Sequence, residues 1–178
     1  SHQGVASREG VSAEAPPDRA TQKIHIVESI EPRPAITLDR VSTRTTGCAV
    51  TTTSGWLFAL KSDVTVRSLG LYDSSGGGLV NAHQVGIWDA FGTLLVSATV
   101  PAGKKGRLDN SFRYVDVRPV TLRGERRYVI GAFYHTPLRD SHMGGGTGNR
   151  FFSDSQIEWL EPRRIIAPAL KLPTNATN

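Results

Sequence analysis

The chain has 178 residues, of which 38% are hydrophobic, with 18 glycines, 10 prolines, one cysteine and a formal net charge of +5. This length and apolar content suit a single domain with a substantial core. The frequent glycines and prolines leave no helical period long enough for a helix bundle, so the sequence predicts an all-β fold. One cysteine excludes an intrachain disulfide, and no apolar run reaches the roughly 20 residues of a membrane span.

The positive charge raises the question of an anionic partner. The cations are scattered along the whole chain, without a basic helix or a basic-aromatic RNA signature. Spaced cations on strands usually form a solvated face. We therefore expect no nucleic-acid partner.

Residues 1–34 form a predicted N-terminal arm. Its first part is polar and small, a composition that cannot bury itself. From Lys23 to Ile30 apolar and polar residues alternate over most of the length, as in a strand, which Pro32 and Pro34 then end. This segment is either the first edge strand of the sandwich or a strand donated to a neighbouring copy. In the second case the assembly interface would contain Ile24, Ile26 and Ile30.

Residues 35–174 form the predicted domain, and residues 175–178 a polar tail. The domain consists of short runs rich in Val, Ile, Thr and aromatic residues, bounded by Gly, Asp, Asn, Ser or Pro. Regularly spaced strands with turn signals between them are typical of an antiparallel β-sandwich, here jelly-roll-like. The runs follow one another in hairpin-like steps, with turns at 61–63, 74–78, 89–92, 101–106 and 122–126.

Asp73, Asn81 and Asp89 flank a glycine-rich loop and are candidate ligands for calcium. Hard cations take several oxygen ligands, which the loops of sandwiches can supply. The spacing is not that of an EF-hand, and the alternative is that the aspartates form turns. We expect His83 to hydrogen-bond to the backbone rather than to act as a ligand or base. No other cofactor is predicted.

Three tryptophans, Trp56, Trp88 and Trp159, are candidate stacking platforms for sugar rings. The alternative is that they lie in the core, since aromatic side chains on alternating strands dominate core burial.

No catalytic signature is present. The chain lacks a Gly-x-Ser-x-Gly elbow, a His-Glu-x-x-His pair and a phosphate-binding loop, and Cys48 has no supporting context. We expect no enzyme activity, which leaves chemistry assembled from distant residues as the alternative.

Several motifs in order carry a resemblance to a known family. They are GWxF from Gly55, VTVxxLGxYD from Val64, HQVGIW from His83, GTLLxSATVPAG from Gly92, FRYV from Phe112 and YVIGA from Tyr128. Residues 50–174 thereby resemble an uncharacterised β-sandwich domain of bacterial secreted and surface proteins that carry the PEP-CTERM (exosortase) sorting signal. The resemblance implies an exported, non-catalytic sandwich at the cell surface or in a matrix, and it implies no active-site residues.

The sequence therefore predicts a structural or adhesive subunit, extracellular or at the cell surface after signal removal. It would self-assemble through its arm into a homo-oligomer or filament. The alternative is a carbohydrate-binding module of a secreted protein, with a polysaccharide as partner and calcium as a stabilising ion.

Overall fold

The computed structural model describes residues 31–40, 44–45, 50–137, 139–143 and 150–176. Within these ranges the secondary structure consists of β-strands. The strands are β1 (Ile36–Arg40), β2 (Arg44–Thr45), β3 (Thr52–Leu60), β4 (Val64–Tyr72), β5 (His83–Asp89), β6 (Leu94–Val100), β7 (Arg107–Asp109), β8 (Phe112–Leu122), β9 (Arg127–Tyr134), β10 (His142–Met143), β11 (Arg150–Ser153), β12 (Ile157–Ile166) and β13 (Asn175–Ala176).

Two antiparallel sheets face each other. The larger has the order β13-β12-β3-β9-β5-β6 and the smaller the order β4-β8-β7. Two short ribbons, β1-β11 and β10-β2, accompany them. The all-β prediction is confirmed, and the two sheets form the predicted sandwich. The jelly-roll connectivity stays a prediction, and residues 1–30 of the predicted arm lie outside the described residues.

The core is built from the inward phase of the strands, because successive side chains of a strand point to opposite faces. The larger sheet contributes residues such as Phe58, Val85 and Tyr128, and the smaller sheet Leu69 and Leu122. A register shift in the pairing of β4 with β8 keeps apolar residues inward on both sides of the irregularity.

A C-terminal strap, residues 167–173, covers the outer face of the larger sheet. Gly131 lies opposite both Gly55 and Gly86 on neighbouring strands. A Cβ built on Gly131 would lie 3.1 Å from Cγ of Pro173, and one built on Gly86 would lie 3.3 Å from Cδ2 of Leu170. The glycines therefore let the strap approach the backbone closely, which leaves Pro173 fully buried.

The turns at 61–63 and 122–126 differ from hairpins. Each joins strands of different sheets, because β3 and β9 belong to the larger sheet and β4 and β8 to the smaller. The two turns bond to one another: Gly124 N donates to Asp63 Oδ1 at 2.8 Å. The turn at 89–92 does close a hairpin, between β5 and β6, and Gly92 takes a positive φ of 88° there.

Candidate functional site

A small polar pocket opens between two loops at one end of the sandwich. One loop follows β4 and the other follows β9. The pocket has a volume of about 110 Å³, below the roughly 300 Å³ at which ordinary ligand sites begin. We call it the loop pocket. It is lined by Tyr72, Asp73, Ser74, Ser75, Gly78, Leu79, Val80, Arg139, Asp140 and Ser141.

Asp73 forms one wall of the loop pocket and is only 3% exposed. Its Oδ2 accepts hydrogen bonds from Nε of Arg113 and from the backbone N–H of Gly78, both at 2.9 Å. Burial by itself raises the pKa of Asp73, but these bonds, the charge of Arg113 and the Ser75 hydroxyl together hold it below its usual value. Asp73 is therefore a carboxylate in a buried ion pair.

Arg113 makes further hydrogen bonds to the loops around Asp73. Its Nη2 donates to Gly76 O at 2.6 Å and its Nη1 to Gly106 O at 3.1 Å. One buried guanidinium thus ties the loop after β4 to the turn before β7. Its donors are used internally, so its role in the described structure is to position those loops.

Asp140 forms the opposite wall and is 6% exposed. Its Oδ1 accepts from Val80 N at 2.6 Å, and its Oδ2 accepts from Asn81 N at 2.8 Å. Oδ2 also lies 2.9 Å from Nε2 of His83, a residue with no exposed surface. Asp140 therefore fastens one loop of the pocket to the other.

The hydrogen bond expected between His83 and the backbone is present. Its Nδ1 lies 2.9 Å from the backbone oxygen of Phe133, and because a carbonyl can only accept, Nδ1 is the donor in this bond. Tyr134 packs against the imidazole, with ring centroids 4.9 Å apart. Burial, assisted by the charge of Asp140, raises the pKa of Tyr134 far above its usual value, so this phenol stays neutral.

The three predicted calcium ligands do not form one set. Asp73 lines the loop pocket and Asn81 donates its backbone N–H to Asp140. Asp89 ends β5, roughly 20 Å along the strand from His83, and its Oδ1 accepts from the N–H groups of Phe91 and Thr93. That is the turn-forming arrangement. Among the described residues, no three His, Cys, Asp or Glu side chains are grouped to hold a metal. Calcium binding stays a prediction, but these three residues do not form a single site for it.

The three tryptophans have different surroundings. Trp88 is 4% exposed, and a Cβ built on Gly86 would lie 3.0 Å from its Cη2. A ring buried to that extent offers no face to a sugar. Trp56 and Trp159 are half-buried, and Trp56 packs on Phe58 with centroids 5.0 Å apart.

Three predicted residues lie outside the described part of the chain, and two residues of the site were not predicted. The predicted assembly residues Ile24, Ile26 and Ile30 lie outside the described part of the chain. Sequence reasoning missed Arg113 and Asp140. Arg113 did leave a signal, because it interrupts an otherwise apolar inward phase with Val115 and Val117; Asp140 lies in a loop without periodicity and left none.

Comparison of the chain with known protein families, with curated proteins and with solved structures finds no match. No helix in the described part of the chain has the length and apolar character needed to cross a membrane.

Proposed function

We propose that the chain is a non-catalytic extracellular structural or adhesive subunit that assembles with copies of itself through its N-terminal arm. The observation that carries the proposal is the edge of the larger sheet at β6. Among the described strands, β6 pairs with β5 alone. The N–H and C=O groups on its other side are a template for a further strand.

Both faces of β6 suit an incoming strand of alternating character. Val96 and Ala98 face the core and are only half-buried, whereas Ser97 and Thr99 are exposed. An added strand would cover the first pair with apolar side chains and leave polar ones beside the second. Residues 23–30 alternate in this way over most of their length and are one residue longer than the seven-residue β6.

The charged groups of the loop pocket support a non-catalytic role. Asp73 and Asp140 are both occupied by backbone amides and by a cationic or imidazole partner. A general acid or base needs a proton to exchange with substrate, and these carboxylates are instead used to hold loops. The extracellular location is supported by the resemblance of the sequence motifs.

Deleting residues 1–34 tests the role of the arm. We expect the full chain to form assemblies larger than a monomer by multi-angle light scattering, and the truncated chain to be monomeric with an unchanged thermal midpoint. An assembly of the same mass after the deletion would overturn the proposal.

Disulfide trapping tests which edge receives the arm. In a Cys48→Ser background, one population carries His25→Cys or Val27→Cys and the other carries Ser97→Cys or Thr99→Cys. These positions share the polar face if the isoleucines face the core, where directly opposed Cβ atoms lie about 5 Å apart. We expect mixed disulfide dimers on oxidation. A matched control is Thr121→Cys on β8, which should not cross-link; equal trapping there would exclude β6 as the acceptor.

The alternative function, a carbohydrate-binding module, is favoured by the loop pocket rather than by the tryptophans. The pocket presents hydroxyl and carboxylate oxygens at an open end of the sandwich. Saturable binding in a glycan array, with and without chelator, would support this second candidate.

A further inference from the structure

The loop pocket contains one positive charge that is not neutralised by any residue the structure describes. The charge of Asp73 is matched by Arg113, and Asp140 is held by His83 and two amides. Arg139 lines the pocket and is exposed, and among the described residues it makes no hydrogen bond or ion pair. A free guanidinium at the rim is a donor fork suited to a carboxylate or phosphate.

The hydroxyl groups beside it are weakly engaged. Ser74 Oγ and Ser141 Oγ lie 3.3 Å apart, and Ser75 Oγ lies 3.4 Å from Asp73 Oδ1. These distances are long for bonds between oxygens, which are strongest near 2.8 Å. The hydroxyls of Ser74 and Ser141 can therefore turn to a ligand at little cost, whereas Ser75 Oγ accepts the N–H of Gly77 at 3.0 Å and has its own proton to donate.

The carboxylates decide what kind of anion fits. Asp73 Oδ1 and Asp140 Oδ1 each have one hydrogen-bond donor and spare accepting capacity. A ligand with hydroxyl donors beside its anionic group would satisfy these oxygens. A phosphate dianion offers at most one O–H donor and would bring two negative charges next to these carboxylates.

We propose that the loop pocket binds an acidic sugar residue, with Arg139 on the ligand carboxylate and Ser75, Ser141 and the two aspartate oxygens on the ring hydroxyls. A volume of about 110 Å³ holds one edge of a sugar ring and leaves the rest of a polysaccharide outside the sandwich. The net charge of +5 adds long-range attraction for a polyanion. This inference deepens the second candidate function and is independent of assembly through the arm.

Calorimetric titration of the full chain tests the inference. The probes are trisaccharides of galacturonate, guluronate and glucuronate, the neutral trisaccharides of galactose and glucose, and inorganic phosphate. We expect saturable binding of at least one acidic trisaccharide, at least tenfold weaker binding of the neutral ones, and none of phosphate alone. Binding of all the sugars alike would overturn the acidic-sugar inference and leave the carbohydrate-binding function standing; binding of no sugar would overturn both.

Two variants locate the site. Arg139→Gln should weaken acidic-sugar binding at least tenfold, and Ser141→Ala severalfold. The matched control is Arg126→Gln, which makes the same change at an exposed arginine before β9, at the opposite end of that strand from the pocket. Thermal midpoints check that each variant folds. Equal affinity in Arg139→Gln and Arg126→Gln would overturn the assignment to the loop pocket.

Discussion

The two buried carboxylates of the loop pocket are stabilised by different partners. Asp73 and Asp140 are 3% and 6% exposed, and both accept backbone N–H groups from the loop that follows β4. Asp73 is paired with the Arg113 guanidinium, which is always charged, whereas Asp140 is paired with the imidazole of His83. The loop is therefore held by an aspartate–arginine pair and by an aspartate–histidine pair.

The largest effect is expected for Arg113→Met, which leaves the Asp73 carboxylate buried without its cation. Breaking a buried ion pair in this way costs about 3–5 kcal/mol of unfolding free energy. Urea denaturation measures the loss. The double variant with Asp73→Asn should recover part of it, because no buried charge then remains unpaired. A double variant no more stable than Arg113→Met would contradict the ion-pair explanation.

A smaller loss is expected for Asp140→Asn. The amide keeps one acceptor, so the bonds from Val80, Asn81 and His83 cannot all survive, and the survivors lose the strength that the carboxylate charge gives them. A hydrogen bond to a charged group contributes about 1.5–3 kcal/mol, and we expect a total loss of that order. The same urea experiment measures it. A loss equal to that of Arg113→Met would mean that the two pairs do not differ as proposed.

Acid should weaken the contribution of Asp73 to stability. The pKa of Asp73 is lower in the folded chain than its ordinary value of 3.8. Its contribution to stability is therefore complete above that value and is lost as the pH falls through the folded pKa. The difference in unfolding free energy between the wild type and Asp73→Asn should shrink between about pH 5 and about pH 2. A difference that stays constant over this range would show that the charge of Asp73 is not involved.

The smallest effect is expected at the exposed pair of Asp63 and Arg123, which serves as the surface reference. Its side chains are 50% and 70% exposed, and water and salt weaken such a pair. The largest cause of the lowered pKa of Asp63 is the hydrogen bond from the backbone N–H of Gly124. Substitution of Arg123 leaves that bond in place. Arg123→Gln should therefore shift the urea midpoint less than either buried-pair variant. A shift as large as that of Asp140→Asn would remove the contrast between buried and exposed pairs.

Part of this site could be predicted from the sequence, because alternation along a strand shows which residues point inward. Leu69 and Leu71 are inward residues of β4, and Asp73 continues their phase, while Arg113 shares the phase of Val115 on β8. Two opposite charges at inward positions of neighbouring strands indicate a buried pair. The sequence alone leaves Asp73 as a candidate calcium ligand or a turn-forming residue, because a local pattern does not show which strands are neighbours.

By itself the sequence determined the all-β class, the strands and most of their turns, since alternation and glycine or proline punctuation act over a few residues. Only the tertiary structure decided which strands pair, because pairings such as β4 with β8 join distant segments and depend on competition among all the strands. It also decided that Trp88 is buried beside Gly86 and that Asp140 meets His83. These contacts connect residues far apart in the chain, where local patterns carry no information about proximity.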